Sequence, residues 1–286
     1  MLWLHIIQCS GFIFSQITNS IVIFLILKKA DKLFGSYRNV MLTFACYSLI
    51  YAWIEVLTSP IMHIKGPVFI VFMDSPLKYE KWIGNYIACQ IDILKVIEKY
   101  KLIPLFIPCL FGFVLWFEFV HWGMANTVEK QEYLKEELKL YYNEDSTKVS
   151  FIAPMYWSIG KNGEKIWNIG DCMSAVGCFL IIVTCFSTIL FCAFNIYRHM
   201  KKSKNQTSTK TNDLHLQIFT TLVFQTFLPF FMMNCPVGLL LTFPLFEIHT
   251  GKLSNIVGAS AAVYPSLEPL IAMFCIRSFR RALTCD

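Results

Sequence analysis

Apolar residues in this chain gather in long unbroken runs, without the one-sided or alternating polar pattern of an element that lies at a protein–water boundary. Six runs stand out, at 2–27, 39–59, 102–124, 172–197, 214–243 and 253–276. Each has about twenty residues or more, the length that crosses roughly 30 Å of hydrocarbon at about 1.5 Å per residue. A weaker candidate lies at 82–100, where Asp92, Lys95, Glu98 and Lys99 interrupt the apolar content. The expected fold is all-α: a polytopic transmembrane helix bundle forming one domain over 1–286. No repeat relates its halves, and the polar stretch 203–213 reads as a short linker.

Charge decides how the runs are threaded. Lys28, Lys29, Lys32 and Arg38 follow the first run, Arg198, Lys201, Lys202, Lys204 and Lys210 follow the fifth strong-or-weak span, and Arg277, Arg280 and Arg281 follow the last. Clustered lysine and arginine in short loops mark the cytosolic side. In 126–171 six lysines face eight acids, which assigns that segment to the outside. An N-terminus outside and a C-terminus in the cytosol then require seven crossings, so 82–100 must be the third. Its central charges cost roughly 2.5 to 3.5 kcal/mol each on insertion scales, making it an atypical or truncated span. The N-terminal run lacks a preceding basic region and a small-residue cleavage pattern, so it reads as the first span and not as a removable signal.

Composition agrees with lipid as the solvent: 56% of residues are apolar, 15% are charged and the mean hydropathy is +0.53. The net charge of +6 is accounted for by loop lysines and arginines and calls for no nucleic acid. The 11 cysteines are an odd number and mostly read as small buried hydrophobes. Only Cys89 and Cys172 are positioned to meet near one membrane face, and Cys285 beside basic residues reads as a palmitoylation candidate. The sequon at Asn205 falls in an expected cytosolic loop. No paired-histidine metal site or phosphate-binding glycine loop is present, and Gly258-Ala259-Ser260-Ala261 lacks the last glycine of an intramembrane protease motif. An enzyme is not expected, nor a cofactor.

Polar residues inside apolar runs are the default functional candidates, because lipid tolerates them only facing the bundle interior or water. Glu55 near the outer end of span two, Glu118 and His121 one turn apart on span four, and Asn234 in span six are the ligand-binding candidates. The bland alternatives are a snorkelling carboxylate for Glu55, and a packing pair or an interfacial belt with Trp116 and Trp122 for Glu118 and His121. Gln225, Pro229 and Pro236 with Asn234 interrupt span six, where each proline removes a backbone hydrogen bond and permits either a pivot or a static bend. Tyr264, Pro265, Glu268 and Pro269 put two prolines and one carboxylate in the inner part of span seven. That acid should be protonated or paired, with Asn19 as the suggested partner. These seven positions other than Asn234 and Asn19 form a switch candidate. Arg198, Lys201, Lys202, Arg277, Arg280 and Arg281 form the cytosolic face, for which lipid contact is the alternative.

Taken in order, Gly35-Ser36-Tyr37-Arg38, Pro60-Ile61-Met62-His63, Glu132-Tyr133-Leu134, Gln225-Thr226 with Pro229, Pro236-Val237-Gly238, Tyr264-Pro265-Ser266-Leu267-Glu268-Pro269-Leu270 and Arg277-Ser278-Phe279-Arg280-Arg281 resemble nematode Str-type serpentine chemoreceptors. The resemblance covers nearly the whole chain except 78–101. It implies a seven-transmembrane G-protein-coupled receptor for an odorant or taste molecule, in the plasma membrane of chemosensory neurons and their cilia. Its implied partners are a small-molecule odorant, a heterotrimeric G protein and membrane lipids, with no cofactor. Two departures stand out. Glu268 occupies a position where the family usually carries Asp, and the third span lacks the family's Tyr-Arg-Tyr-like inner end and following loop. The alternatives are a degenerate or mis-assembled receptor with no coupling, and a small transporter or channel subunit, which would show inverted repeats.

The topology makes a direct prediction: epitope tags at the N-terminus and within 126–171 react with antibody on intact cells, whereas tags at Ser203 and the C-terminus react only after permeabilisation. Surface reactivity of the Ser203 tag would overturn the charge assignment.

Overall fold

The computed structural model describes residues 2–29, 37–79, 103–160, 162–203 and 208–284. Its helices are α1 (Leu2–Lys29), α2 (Tyr37–Thr58), α3 (Ile103–Gly123), α4 (Val128–Tyr142), α5 (Ile169–Ser203), α6 (Thr209–Pro229), α7 (Cys235–Thr242), α8 (Asn255–Cys275) and α9 (Arg277–Thr284). Among the described residues, five stretches are long and apolar enough to cross a membrane: Leu2–Lys28, Tyr37–Thr58, Ile169–Lys202, Thr211–Phe246 and Lys252–Cys275. The fold is thus a bundle of apolar helices. The weak third span at 82–100, with Cys89, lies outside the described residues, as do Cys285 and the sequon at Asn205.

The chain divides into two compact units. The first contains α1, α2, the later part of α5, α6 and nearly all of α8, with α9. At Gly11 a Cβ would stand 2.6 Å from the Ala262 carbonyl oxygen, so α1 and α8 meet backbone to backbone. Val22, Leu25 and Ile26 of α1, Met41 and Ala45 of α2, and Ala272, Met273 and Ile276 pack into one cluster that Phe279 of α9 closes. Apolar Phe279 is buried while Arg280 and Arg281 beside it are exposed, which makes α9 an amphipathic end-piece anchored by one aromatic ring. Burial of that ring stabilises by roughly 1.5–3 kcal/mol.

The long stretch Thr211–Phe246 is not one helix. After Pro229 the backbone widens into a π-helical turn at Phe230–Asn234, closed by the Cys235 N–H on the Phe230 carbonyl, before α7 resumes α geometry. Pro229 and Pro236 both lack an amide donor and break the regular ladder here.

The second unit is built on β structure that the apolar runs alone do not announce. Strands β1 (Pro60–Lys65) and β2 (Val68–Met73) form an antiparallel hairpin, and β3 (Phe151–Ile152) adds to β2. The turn is Gly66-Pro67, with Gly66 at φ 54°, the positive value that a two-residue hairpin turn needs at its first position. Helix α4 starts at Thr127, whose hydroxyl accepts from the Lys130 amide, and it buries Lys130, Leu134 and Leu138 on one face. Lys130 Nζ lies 2.7 Å from Asp171 Oδ2 at the start of α5 and also donates to the Ala125 carbonyl. The same Asp171 oxygen accepts the Met155 amide at 2.6 Å, so each member of the buried pair has a further hydrogen-bond partner. Glycine again permits close helix contact, because a Cβ at Gly123 of α3 would overlap Ser174 of α5. A second hairpin, β4 (Trp157–Ile159) with β5 (Lys165–Trp167), leads into α5.

His63 of β1 is the central polar residue of this unit. It is buried, its Nδ1 is 3.0 Å from the Tyr142 hydroxyl, and its Nε2 is 3.5 Å from Glu137 of α4. Desolvation holds its pKa below the ordinary value, outweighing Glu137, which pulls upward, while Lys252 and Lys65 add to the depression. The folded form therefore favours the neutral ring. Its stabilising contribution is complete above the unfolded value of about 6.5 and is lost as pH falls through the lower folded value. Acidifying the purified protein from about pH 7.5 to about pH 5 should lower its melting temperature, and His63→Gln should flatten that part of the curve. An unchanged slope in His63→Gln would show that this histidine does not carry the effect.

Candidate functional site

The polar centre of the first unit forms where α8 carries two prolines. Pro269 has no N–H to give to the carbonyl of Pro265, four residues earlier, which leaves that oxygen without its helical donor. Asn19 of α1 supplies one: its Nδ2 lies 2.9 Å from the Pro265 oxygen, while also reaching Ser15 within its own helix. Thr18, one position earlier, donates to the Ser266 carbonyl at 3.2 Å. The suggested partnership between Asn19 and Glu268 is therefore corrected, because the asparagine amide is engaged by backbone that the proline has freed.

Glu268 takes its bonds from other side chains. Ser48 of α2 donates to Oε2 at 2.6 Å, and Tyr264, one turn earlier on α8, donates to the same oxygen at 3.1 Å. Ser48 and Glu268 are both buried. Beside them lies a cavity of about 10 Å³, at the threshold for a single water, lined by Asn19 of α1, Met41, Phe44 and Ala45 of α2, Gln225 of α6, and Glu268, Pro269 and Ala272 of α8. Asn19, Gln225, Glu268 and Pro269 thus share one small space in which four helices meet. The space is far too small for an organic ligand, so its chemistry is that of a helix-to-helix latch.

The π turn of α6 is tied to α8 by the same device. Met232 would receive its α-helical bond from the amide of residue 236, which is proline, and the Ser260 hydroxyl donates to its oxygen at 2.6 Å instead. Of the other switch candidates, Pro229 ends α6 immediately before the turn, and Tyr264 also packs edge-on to Tyr51 with ring centroids 6.5 Å apart. Ser48 and Ser260 are the site residues that the apolar pattern hides. Their signal was small: a hydroxyl inside a span, and for Ser260 the spacing between prolines on two different helices.

The ligand candidates are scattered. Glu55 is buried near the end of α2 and is hydrogen-bonded by Tyr51 one turn earlier. On α3, Glu118 is exposed and accepts from the Trp122 indole at 2.6 Å. His121 stacks on Phe117 at 5.3 Å and meets the Trp122 ring edge-on at 5.2 Å. Asn234 is exposed at the end of the π turn.

The sequence profile of the serpentine type seven-transmembrane G-protein-coupled chemoreceptors of class Str matches residues 4–92 and 86–284. The chain belongs to this Str family. The two matched stretches of this Str receptor overlap at 86–92, within the segment where the third span is expected to be incomplete. Among characterised relatives, it is 24% identical to a serpentine receptor of class r-10 from Caenorhabditis briggsae, over 99% of this chain and 90% of the relative. It has the same identity to the class r-10 receptor of Caenorhabditis elegans, over 99% and 91%, and to the G-protein coupled receptor str-33 of that organism, over 96% and 88%. No solved structure matches the Str receptor.

The basic candidates of the Str receptor all lie in the first unit and are all exposed. Arg198 rests over the Phe194 ring at 5.5 Å, with Lys201 and Lys202 in the last turn of α5. Arg277 reaches Asp213 of α6 at 3.6 Å, and its amide donates to Gln217 at 2.9 Å, so the start of α9 is fixed to the start of α6. Arg280 and Arg281 project from α9.

Proposed function

We propose that this multi-pass chemoreceptor detects a small odorant and passes the signal to a heterotrimeric G protein by a change in the pose of α6 and α8. The observation that carries the reading is the Glu268 latch. A carboxylate on α8 held by a hydroxyl of α2, next to a proline-freed carbonyl held by α1, has few alternative partners, so displacement of α8 exchanges one bonded arrangement for another. Such an element is two-state, and signalling requires that. The π turn gives α6 a second deformable point at the level of Ser260, and the α6–α9 contact through Gln217, Asp213 and Arg277 links that helix to the basic end-piece.

In this reading the N-terminus is outside and the C-terminus cytosolic, in the plasma membrane of a sensory cell and its cilium. Arg198, Lys201, Lys202, Arg277, Arg280 and Arg281 face the G protein. Glu55 is the leading ligand-facing residue, being buried at the opposite end of α2 from the basic loop. Glu118, His121 and Asn234 are the remaining ligand-contact candidates. A ligand acts by binding one pose of the bundle better than the other, and its effect is limited to that difference.

A second reading, a receptor that no longer couples, is favoured by one observation: the family match doubles back at 86–92 instead of running through the third span. The two readings separate on one experiment, a second-messenger response to an odorant panel at matched surface expression. The coupled receptor predicts a response that Glu268→Leu largely abolishes, while Glu55→Gln mainly shifts the concentration needed. Equal loss of apparent ligand affinity in both variants would contradict the division between switch and ligand residues. No response from the wild-type chain at the surface, rescued by a family-length third helix and loop, would establish the second reading.

A further inference from the structure

The β4–β5 hairpin is poorly supported by the protein that carries it. Its pairing is three residues long, Trp157 with Trp167 to Ile159 with Lys165, and all three residues of β5 are exposed. A short two-stranded hairpin is marginal in water, and in this one Trp157 is the buried side chain. Besides Lys165 it exposes three apolar side chains: Ile159 at 69% and Trp167 at 55% on one face, and Ile166 at 52% on the other. Phe246, next in sequence to the Glu247 that pairs with Lys165, adds another at 74%. An exposed patch of this kind on a folded unit marks an interaction surface.

What covers it is indicated by the helix into which it runs. Asn168 caps α5 by accepting the Asp171 amide, so only that residue separates Trp167 from Ile169. From there Ile169, Met173, Val176, Leu180 and Val183 are all exposed along one side of α5, a continuous apolar stripe on a span. Helix α5 has 35 residues, about 52 Å at 1.5 Å per residue, against roughly 30 Å of hydrocarbon. With Arg198, Lys201 and Lys202 in the headgroups at one end, the excess length and ordinary tilt place the opposite end in the other headgroup layer. Tryptophan and lysine are the side chains that this layer accommodates, ring inward and charge outward. Lys165 is already disposed that way, its Nζ stacked 4.2 Å over the Trp157 ring.

We infer that the β4–β5 hairpin is a lipid-docking element: Ile159, Ile166 and Trp167, joined by Phe246, are buried in the headgroup layer of the leaflet at the Ile169 end of α5. The bilayer then supplies the burial that the short hairpin lacks, and the hairpin fixes the depth and tilt of α5. This does not rest on the ligand or the G protein, only on α5 being a span.

The test uses the full chain in phosphatidylcholine nanodiscs, with benzoylphenylalanine substituted singly at Ile159, Ile166, Phe179 and Lys135. Phe179 is a lipid-facing control on α5, and Lys135 is an exposed polar control on α4. After irradiation, intact mass should show phospholipid adducts at Ile159 and Ile166 approaching those at Phe179, with none at Lys135. A second measurement leaves the hairpin apolar: quenching of tryptophan emission by lipids brominated near the headgroup should fall in Trp167→Phe relative to wild type. Lipid adducts at Phe179 but none at Ile159 or Ile166, with bromolipid quenching unchanged by Trp167→Phe, would overturn the proposal. Cross-links at Ile159 or Ile166 to a second copy of the chain would overturn it in favour of a protein interface.

Discussion

In hydrocarbon a backbone carbonyl that loses its helical donor has no water to turn to, and this governs the first unit of the receptor. Prolines at 236 and 269 each free one such oxygen, at Met232 and Pro265. Each freed oxygen is met by a polar side chain from another helix, Ser260 in one case and Asn19 in the other. Asn19 and Ser260 are thus not placed at random. They stand where the prolines have opened the backbone, and they bind α6 to α8 and α8 to α1 at defined levels.

The same economy explains why this region is suited to switching. A side chain–backbone bond between helices contributes only about 0.6 kcal/mol on average in membranes, and rarely more than about 1.7, whereas an unsatisfied group in hydrocarbon costs several. The bonded pose is therefore held less by the strength of its bonds than by the cost of leaving them unmade. Rearrangement to another pose that meets these freed acceptors costs less than leaving them unmet. Glu268, shared between Ser48 and Tyr264 beside a water-sized space, is placed to take part in such an exchange.

Much of the bundle was legible in the sequence because lipid imposes length and apolarity on a span, and those are properties of composition. The break at Pro229 and Pro236 was legible for the same reason, since a missing amide donor is written in the residue type. The π turn was not, because which wider geometry follows a proline depends on the neighbouring helix that receives the freed oxygen. Glu268 was readable as an acid needing partners, while Asn19 was assigned the wrong one: sequence shows that a carbonyl is freed but not which asparagine reaches it. The hairpin at 60–73 escaped because neither strand shows a polar–apolar alternation: β2 is apolar throughout, and in β1 the polar His63 is buried among apolar neighbours. Its sign was the Gly66-Pro67 turn between the two hexamers. Helix α4 with its buried Lys130–Asp171 pair was read only as an acidic outside segment, since charge counting does not reveal which lysine will be buried. Glu118 and His121 were correctly put within one turn of each other, but their partners Trp122 and Phe117 come from the same helix, so adjacency did not imply a pocket.

The claim that a proline-freed carbonyl organises the α1–α8 contact is tested most directly by a double-mutant cycle on Asn19 and Pro269. Asn19→Leu removes the donor at similar volume, and Pro269→Ala restores the helical N–H to the Pro265 oxygen. Thermal stability of the purified receptor in nanodiscs would be measured for wild type, both single variants and the double variant. Asn19→Leu should cost about 1–3 kcal/mol in the wild-type background, the penalty of a buried acceptor left unmet, and much less once Pro269→Ala has supplied the backbone donor. If the cost of Asn19→Leu is the same in both backgrounds, the Pro265 carbonyl is not what Asn19 serves, and the account of the latch fails.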